Sequence, residues 1–146
     1  MRDMTNNIQL KRVISPISVA DNTAQVGQII DRLGYDAVTY IINLGSIADA
    51  DATFVALLEE GDAANLSDAA AVADADMISQ TSGTAPEAAA SFQYDSDNQV
   101  RKLGYVGNKR YTRLTITPAN NASAALFSAS AVLSHSHIAP VTQATS

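Results

Sequence analysis

The feature that most restricts the fold is strict alternation in the last third of the chain. Arg110, Thr112, Leu114 and Ile116 share one parity, and Tyr111, Arg113, Thr115 and Thr117 share the other. Period two in β-branched and aromatic residues marks a strand with two unlike faces. Val100–Tyr105 has the same style, and Gly107-Asn108 lies between the two runs, so together they predict a hairpin. Pro118-Ala-Asn-Asn121 is expected to end the second run. Ala125–Ser134 then sets Leu126, Ser128, Ser130 and Val132 against Phe127, Ala129, Ala131 and Leu133. Small side chains on such a strand allow a second sheet to approach closely.

Earlier segments read the same way. Asp36–Leu44 is rich in Val, Thr, Tyr and Ile and predicts a strand, with Gly45-Ser46 as a turn after it. Ala52–Glu59 places Phe54, Ala56 and Leu58 opposite Val55, Leu57 and Glu59. Helix is its rival, because Leu and Ala dominate, but turn residues on both sides favour a strand. A short strand is expected within Val72–Ile78, and a mobile surface loop over Thr81–Ala90. Ile8–Ile14 and Ile17–Ala20 flank Pro16, which confines that strand to an edge or splits it. Gln25–Leu33 fits a short amphipathic helix or a strand equally.

Seven or eight short strands with turn signals between them, and no strand–helix alternation, predict an all-β antiparallel sandwich, jelly-roll-like, with little helix. With 146 residues the chain is expected to be one domain. The expected extensions are a polar N-terminal arm over residues 1–11 and a flexible C-terminal tail over residues 139–146. The opening MRDMTNNIQLKR has no apolar run, so no signal peptide is expected. No stretch has the roughly 18 apolar residues that cross a bilayer as a helix, so no membrane partner is expected.

Charge is unevenly distributed. Residues 1–32 carry four bases and three acids, residues 33–100 twelve acids and no Lys or Arg, and residues 101–146 five bases and no acids, giving a net charge of −6. If the blocks interleave in sheets, unlike charges meet across strands. If they do not, the molecule is bipolar and suited to head-to-tail or lattice contacts. The net acidity argues against a nucleic-acid partner.

Chemical motifs are sparse. The chain has no Cys, which excludes disulfides, thiolate metal sites and a cysteine nucleophile. His135 and His137 at i, i+2 can face one way and hold a metal with a third ligand, but the plain structural reading, two surface histidines at a strand end, is favoured. Asp49/Asp51, Asp74/Asp76 and Asp95/Asp97 offer oxygen pairs for calcium, against the favoured reading that they cap turns. No nucleophile elbow and no phosphate loop occurs, so no enzyme, cofactor or metal is expected. The most distinctive stretch is Arg101–Arg113 (RKLGYVGNKRYTR). Its Arg and Tyr content suits a protein contact, level with the reading that its bases offset the acidic middle block.

Tyr105–Pro118 (YVGNKRYTRLTITP) resembles a hairpin of small head proteins of tailed bacteriophages. Phe54–Asp62, Asn65–Ala69, Asp74–Asp76 and the opening Arg2–Ile17 resemble the same group. The resemblance implies a cement (decoration) protein of the virion. Such a protein is made in the host cytoplasm, binds the major capsid protein on the outer surface of the shell and clamps neighbouring capsomers, as a homo-oligomer, dimer or trimer. The candidate contact residues are Arg2 and Lys11 in the arm, Arg12 just after it, and Tyr105, Lys109, Arg110, Tyr111 and Arg113 in the basic stretch. Two other functions stay open: a carbohydrate-binding sandwich using exposed Tyr residues, and a tail or connector subunit.

Overall fold

Alternating segments from the whole length of the chain pack as two antiparallel sheets. The structure, a computed structural model, describes residues 2–144. In chain order the strands are β1 (Gln9–Val19), β2 (Gln25–Val26), β3 (Ile30–Asp31), β4 (Tyr35–Ile47), β5 (Thr53–Gly61), β6 (Ala70–Ala71), β7 (Met77–Ser79), β8 (Phe92–Gln93), β9 (Val100–Tyr105), β10 (Tyr111–Ala119) and β11 (Ala125–Ser136). One short helix, α1 (Pro86–Ala90), lies between β7 and β8. The first sheet runs β1-β11-β4-β9-β7 and the second β2-β10-β5-β6, with β3 also on β10 and β8 also on β5. The last strand thus pairs between the first and the fourth, the nested order of a jelly roll. No helix among the described residues is long and apolar enough to cross a membrane.

Inward-facing positions of both sheets form one core. Phe54 stacks on Phe92 at 4.8 Å between ring centroids, and Phe127 meets both edge-on at 5.9 and 5.5 Å. These offset and edge-to-face geometries suit the aromatic quadrupole. A buried polar link joins the sheets within the core: the Tyr40 hydroxyl and Thr112 Oγ1 lie 2.6 Å apart. Burial pushes the Tyr40 hydroxyl far above the usual phenol range, so it stays protonated and available to donate.

Several local expectations are corrected. The Gly107-Asn108 segment does not close a hairpin, because β9 pairs with β4 and β7 while β10 pairs with β5, β2 and β3. A two-residue hairpin of that composition needs positive φ, and neither Gly107 nor Asn108 has it. Gly107 serves close approach instead, since a Cβ there would meet the Tyr105 hydroxyl at 2.6 Å. Gly45-Ser46 is not a turn; β4 runs through both, and Gly45 makes room for Leu126, whose Cβ would stand 3.0 Å from an added one. β10 passes through Pro118, which sits opposite Phe54, and ends at Ala119.

Residues 72–78 form a loop and a 3-10 turn, with pairing starting at Met77. Residues 25–33 contribute two two-residue strands and no helix. Within the expected mobile loop, α1 is docked: Pro86 and Ala90 are buried, and Glu87 Oε1 accepts the Leu58 N–H at 2.6 Å. β1 is an edge strand with irregular register around Pro16, as the proline predicts.

The tail is fastened over part of its length. The Gln143 amide accepts from Leu10 N at 2.9 Å and donates to Leu10 O at 2.8 Å, and Val141 N donates to Asn6 O at 2.7 Å.

Candidate docking surfaces

The sandwich offers two outer faces, and β10 governs the first. Its pairing with β5 puts Arg113 directly opposite Glu59. The Arg113 guanidinium donates from Nε and NH2 to Glu59 Oε2 at 3.1 and 2.8 Å, and both side chains are largely covered. Arg110 grips Asp31 through two parallel bonds of 2.9 and 2.8 Å, and its guanidinium lies 5.0 Å from the Tyr111 ring centre. Lys109 Nζ lies 2.6 Å from Asp62 Oδ2. Hydrogen bonding to Asp62 raises the Lys109 pKa, and hydrogen bonding to Arg110 lowers that of Asp31. The basic third and the acidic middle of the sequence therefore neutralise each other where the strands interleave.

Tyr105 is buried, not presented. Its hydroxyl donates to the Glu60 carboxylate and accepts from Lys109 N at 2.9 Å. Burial first, and then the Glu60 contact, push its pKa far above the usual range. Arg32, on the neighbouring loop, lies over the Tyr105 ring at 5.8 Å. Of the Tyr residues considered for sugar stacking, Tyr40 and Tyr105 are buried and Tyr111 sits beside the Arg110 guanidinium; Tyr94 is half exposed.

The arm residues are placed apart from these. Arg2 is exposed at the rim of a 580 Å³ cavity that Met4, Ile8 and His135 also line. Lys11 is partly covered and adds to the field that depresses the Asp31 pKa. Arg12 is exposed, and its NH1 donates to Ser15 Oγ at 2.6 Å.

The histidine and aspartate motifs act on the chain itself. His137 Nε2 lies 2.7 Å from Asp36 Oδ1, while His135, at φ 55°, breaks the alternation and contacts Ser134 Oγ at 3.2 Å. Asp49 accepts from Asp51 N at 3.0 Å and Ala122 N at 2.8 Å, and Asp97 accepts from Ile47 N at 2.7 Å. Asp74 and Asp76 belong to a 3-10 turn. Among the described residues no three His or acidic side chains gather as metal ligands.

The outer face of the first sheet was not anticipated. Register places Leu10, Val132, Thr39, Gly104 and Ile78 side by side across all five strands. The next row is Arg12, Ser130, Ile41 and Lys102. Leu10, Ile78, Val100 and Leu126 on this face are between 43 and 58% exposed. An added Cβ at Gly104 would stand 3.1 Å from Ile78 Cβ, so the glycine lets Ile78 lie low over the sheet. Two open depressions mark the face. One of 410 Å³ is lined by Ile17, Asn43 and Leu126, and one of 330 Å³ by Thr39, Ile41, Val100 and Lys102. Its two row charges, Arg12 and Lys102, are both positive, and neither has an acidic partner among the described residues. No short motif announces this face; its residues come from five separate segments.

No family model matches the chain, and no curated protein matches it. Among solved structures it is similar to a chain of "Bacillus endospore appendages form a novel family of disulfide-linked pili". The TM-score is 0.44 and the identity 12%, over 92% of this chain and 96% of that one. A likeness at this level does not bear on function.

Proposed function

We propose that this chain is a structural protein acting through protein–protein contact, and more finely a cement protein on the outer surface of a phage capsid. One observation carries the structural reading. Groups that could carry chemistry instead hold this chain together: Asp49 caps its own turn, Asp97 accepts from Ile47 N, His137 pairs with Asp36, and the basic stretch pairs with Asp31, Glu59 and Asp62. The finer reading draws on the resemblance of the Tyr105–Pro118 and Phe54–Asp62 segments to phage head proteins. In it, the exposed Arg2 and the arm around it reach the shell, and the sandwich clamps neighbouring capsomers.

The experiment compares expanded shells with and without the protein under heat and osmotic shock. Added protein should raise the temperature and the shock at which shells open. Shells equally robust in both cases overturn the capsid reading. Imaging the virion separates a shell position from a tail or connector position.

A further inference from the structure

The bipolarity in the sequence survives folding, but not where the basic stretch suggests. Once Lys109, Arg110 and Arg113 are paired, the bases left on a sheet face are Arg12 and Lys102, set among half-exposed Leu10, Ile78 and Val100 and the partly covered Ile41. Acids without a cation partner gather at the sandwich end that holds the β4–β5 and β8–β9 loops. There Thr53 pairs with Gln93, so Asp51 and Asp95 flank the same pair of strand ends. Both are exposed and in no ion pair among the described residues, and the neighbouring Tyr94 is 48% exposed.

We propose that the outer face of the β1-β11-β4-β9-β7 sheet is a self-assembly surface that receives the Asp51/Asp95 end of a second copy. Charge complementarity selects this occupant. The face carries only positive charge in its rows, the opposite end carries carboxylates, and the chain as a whole has an acid surplus of six. Face-to-face pairing of two such sheets would bring only bases together. The depression beside Lys102, bounded by Thr39, Ile41 and Val100, gives an aromatic side chain such as Tyr94 a place to settle. Because the two contacting surfaces differ, each copy keeps one of each free, and the contact propagates head to tail into rings or open arrays. This contact between copies is separate from shell binding and holds with or without it.

The test uses light scattering coupled to size-exclusion chromatography over a concentration series. The wild type should rise above its monomer mass of 15.3 kDa as concentration increases, and fall back as salt is raised. One variant reverses the face (Arg12→Glu with Lys102→Glu) and another the end (Asp51→Lys with Asp95→Lys). Each alone should stay monomeric, with circular dichroism confirming the sandwich. Mixed, the basic face of the second variant meets the acidic end of the first, and the acidic face of the first meets the basic end of the second. The mixture should therefore recover the association that each variant alone has lost, with the two variants alternating. A wild type of monomer mass throughout, association unchanged in either variant, or a mixture that stays monomeric overturns the proposal. A wild type that is monomeric alone but loses shell binding in the face variant assigns the face to the shell, and also overturns contact between copies.

Discussion

The two outer faces of the sandwich are built from the same alternating strands, yet they dispose of charge in opposite ways. On the β10–β5 face, Arg113 stands opposite Glu59, and Arg110 and Lys109 reach Asp31 and Asp62 nearby. On the β11–β4 face the rows run through Ser130, Ile41, Thr39 and Val132, with Arg12 and Lys102 toward opposite sides and no carboxylate between them. The difference comes from pairing order alone. β10 and β5 bring the basic and acidic blocks of the sequence side by side, whereas β11 and β4 join two segments poor in charge. Cross-strand pairs close the first face on itself and leave the second for something else.

The layer beneath both faces is where the largest effect is expected. Phe54→Ala removes a fully buried ring stacked on Phe92 and should cost about 3–5 kcal/mol in urea unfolding, with both faces lost together. A loss below about 1 kcal/mol would mean that the faces do not share one core. Next comes the crossing between the sheets. Gly107→Ala drives a methyl against the rigid Tyr105 ring and should destabilise by about 1–3 kcal/mol, whereas Gly83→Ala, in open space at positive φ, costs less than about 2 kcal/mol from backbone strain alone.

A smaller effect separates the faces directly. Arg113→Ala should lower stability by roughly 1 kcal/mol, and Lys102→Ala should change it by less than about 0.5 kcal/mol, because only the first leaves a carboxylate partly buried without its partner. Equal effects would erase the contrast. The smallest effect is in acid. Asp31 has its pKa held below the ordinary 3.8 by Arg110, so its contribution is present above that value and is lost as pH falls through the lower folded pKa. Arg110→Ala should flatten the acid limb of the stability–pH curve below about pH 4 and leave the neutral region nearly level. A limb of unchanged steepness would assign it to other carboxylates, such as Asp68, whose pKa is lowered chiefly by the Asp62 N–H.

The strands with strong alternation were readable because one periodicity reports one buried face. β5 is the instructive success: its Leu and Ala suit a helix, but the short span between turn residues decided for a strand. Glycines were the main source of error. Gly45 and Gly107 read as turn residues, but each is small because Leu126 or Tyr105 presses on it, a contact visible only once distant strands are paired. Helix α1 had its local signals, with Pro86 at the first position, Glu87 in the first turn and three alanines after it. Five residues do not hold a helix in water, so its existence rests on Glu87 reaching Leu58 N, which no local rule supplies. Among the candidate contacts, the pairing of unlike charges was foreseeable from the charge blocks, and Arg113–Glu59 realises it. The Leu10-to-Ile78 row joins segments up to 122 residues apart and depends on register alone.

One detail of the tail bears on how the protein is handled and how it ages. A single amide side chain, that of Gln143, imitates the missing neighbour of β1 by answering both backbone groups of Leu10. The rim of the five-stranded sheet is thus sealed at Leu10 by one side chain. Deamidation of Gln143, which turns the donor into a second acceptor, unseals a ready template for fibril growth without touching the core.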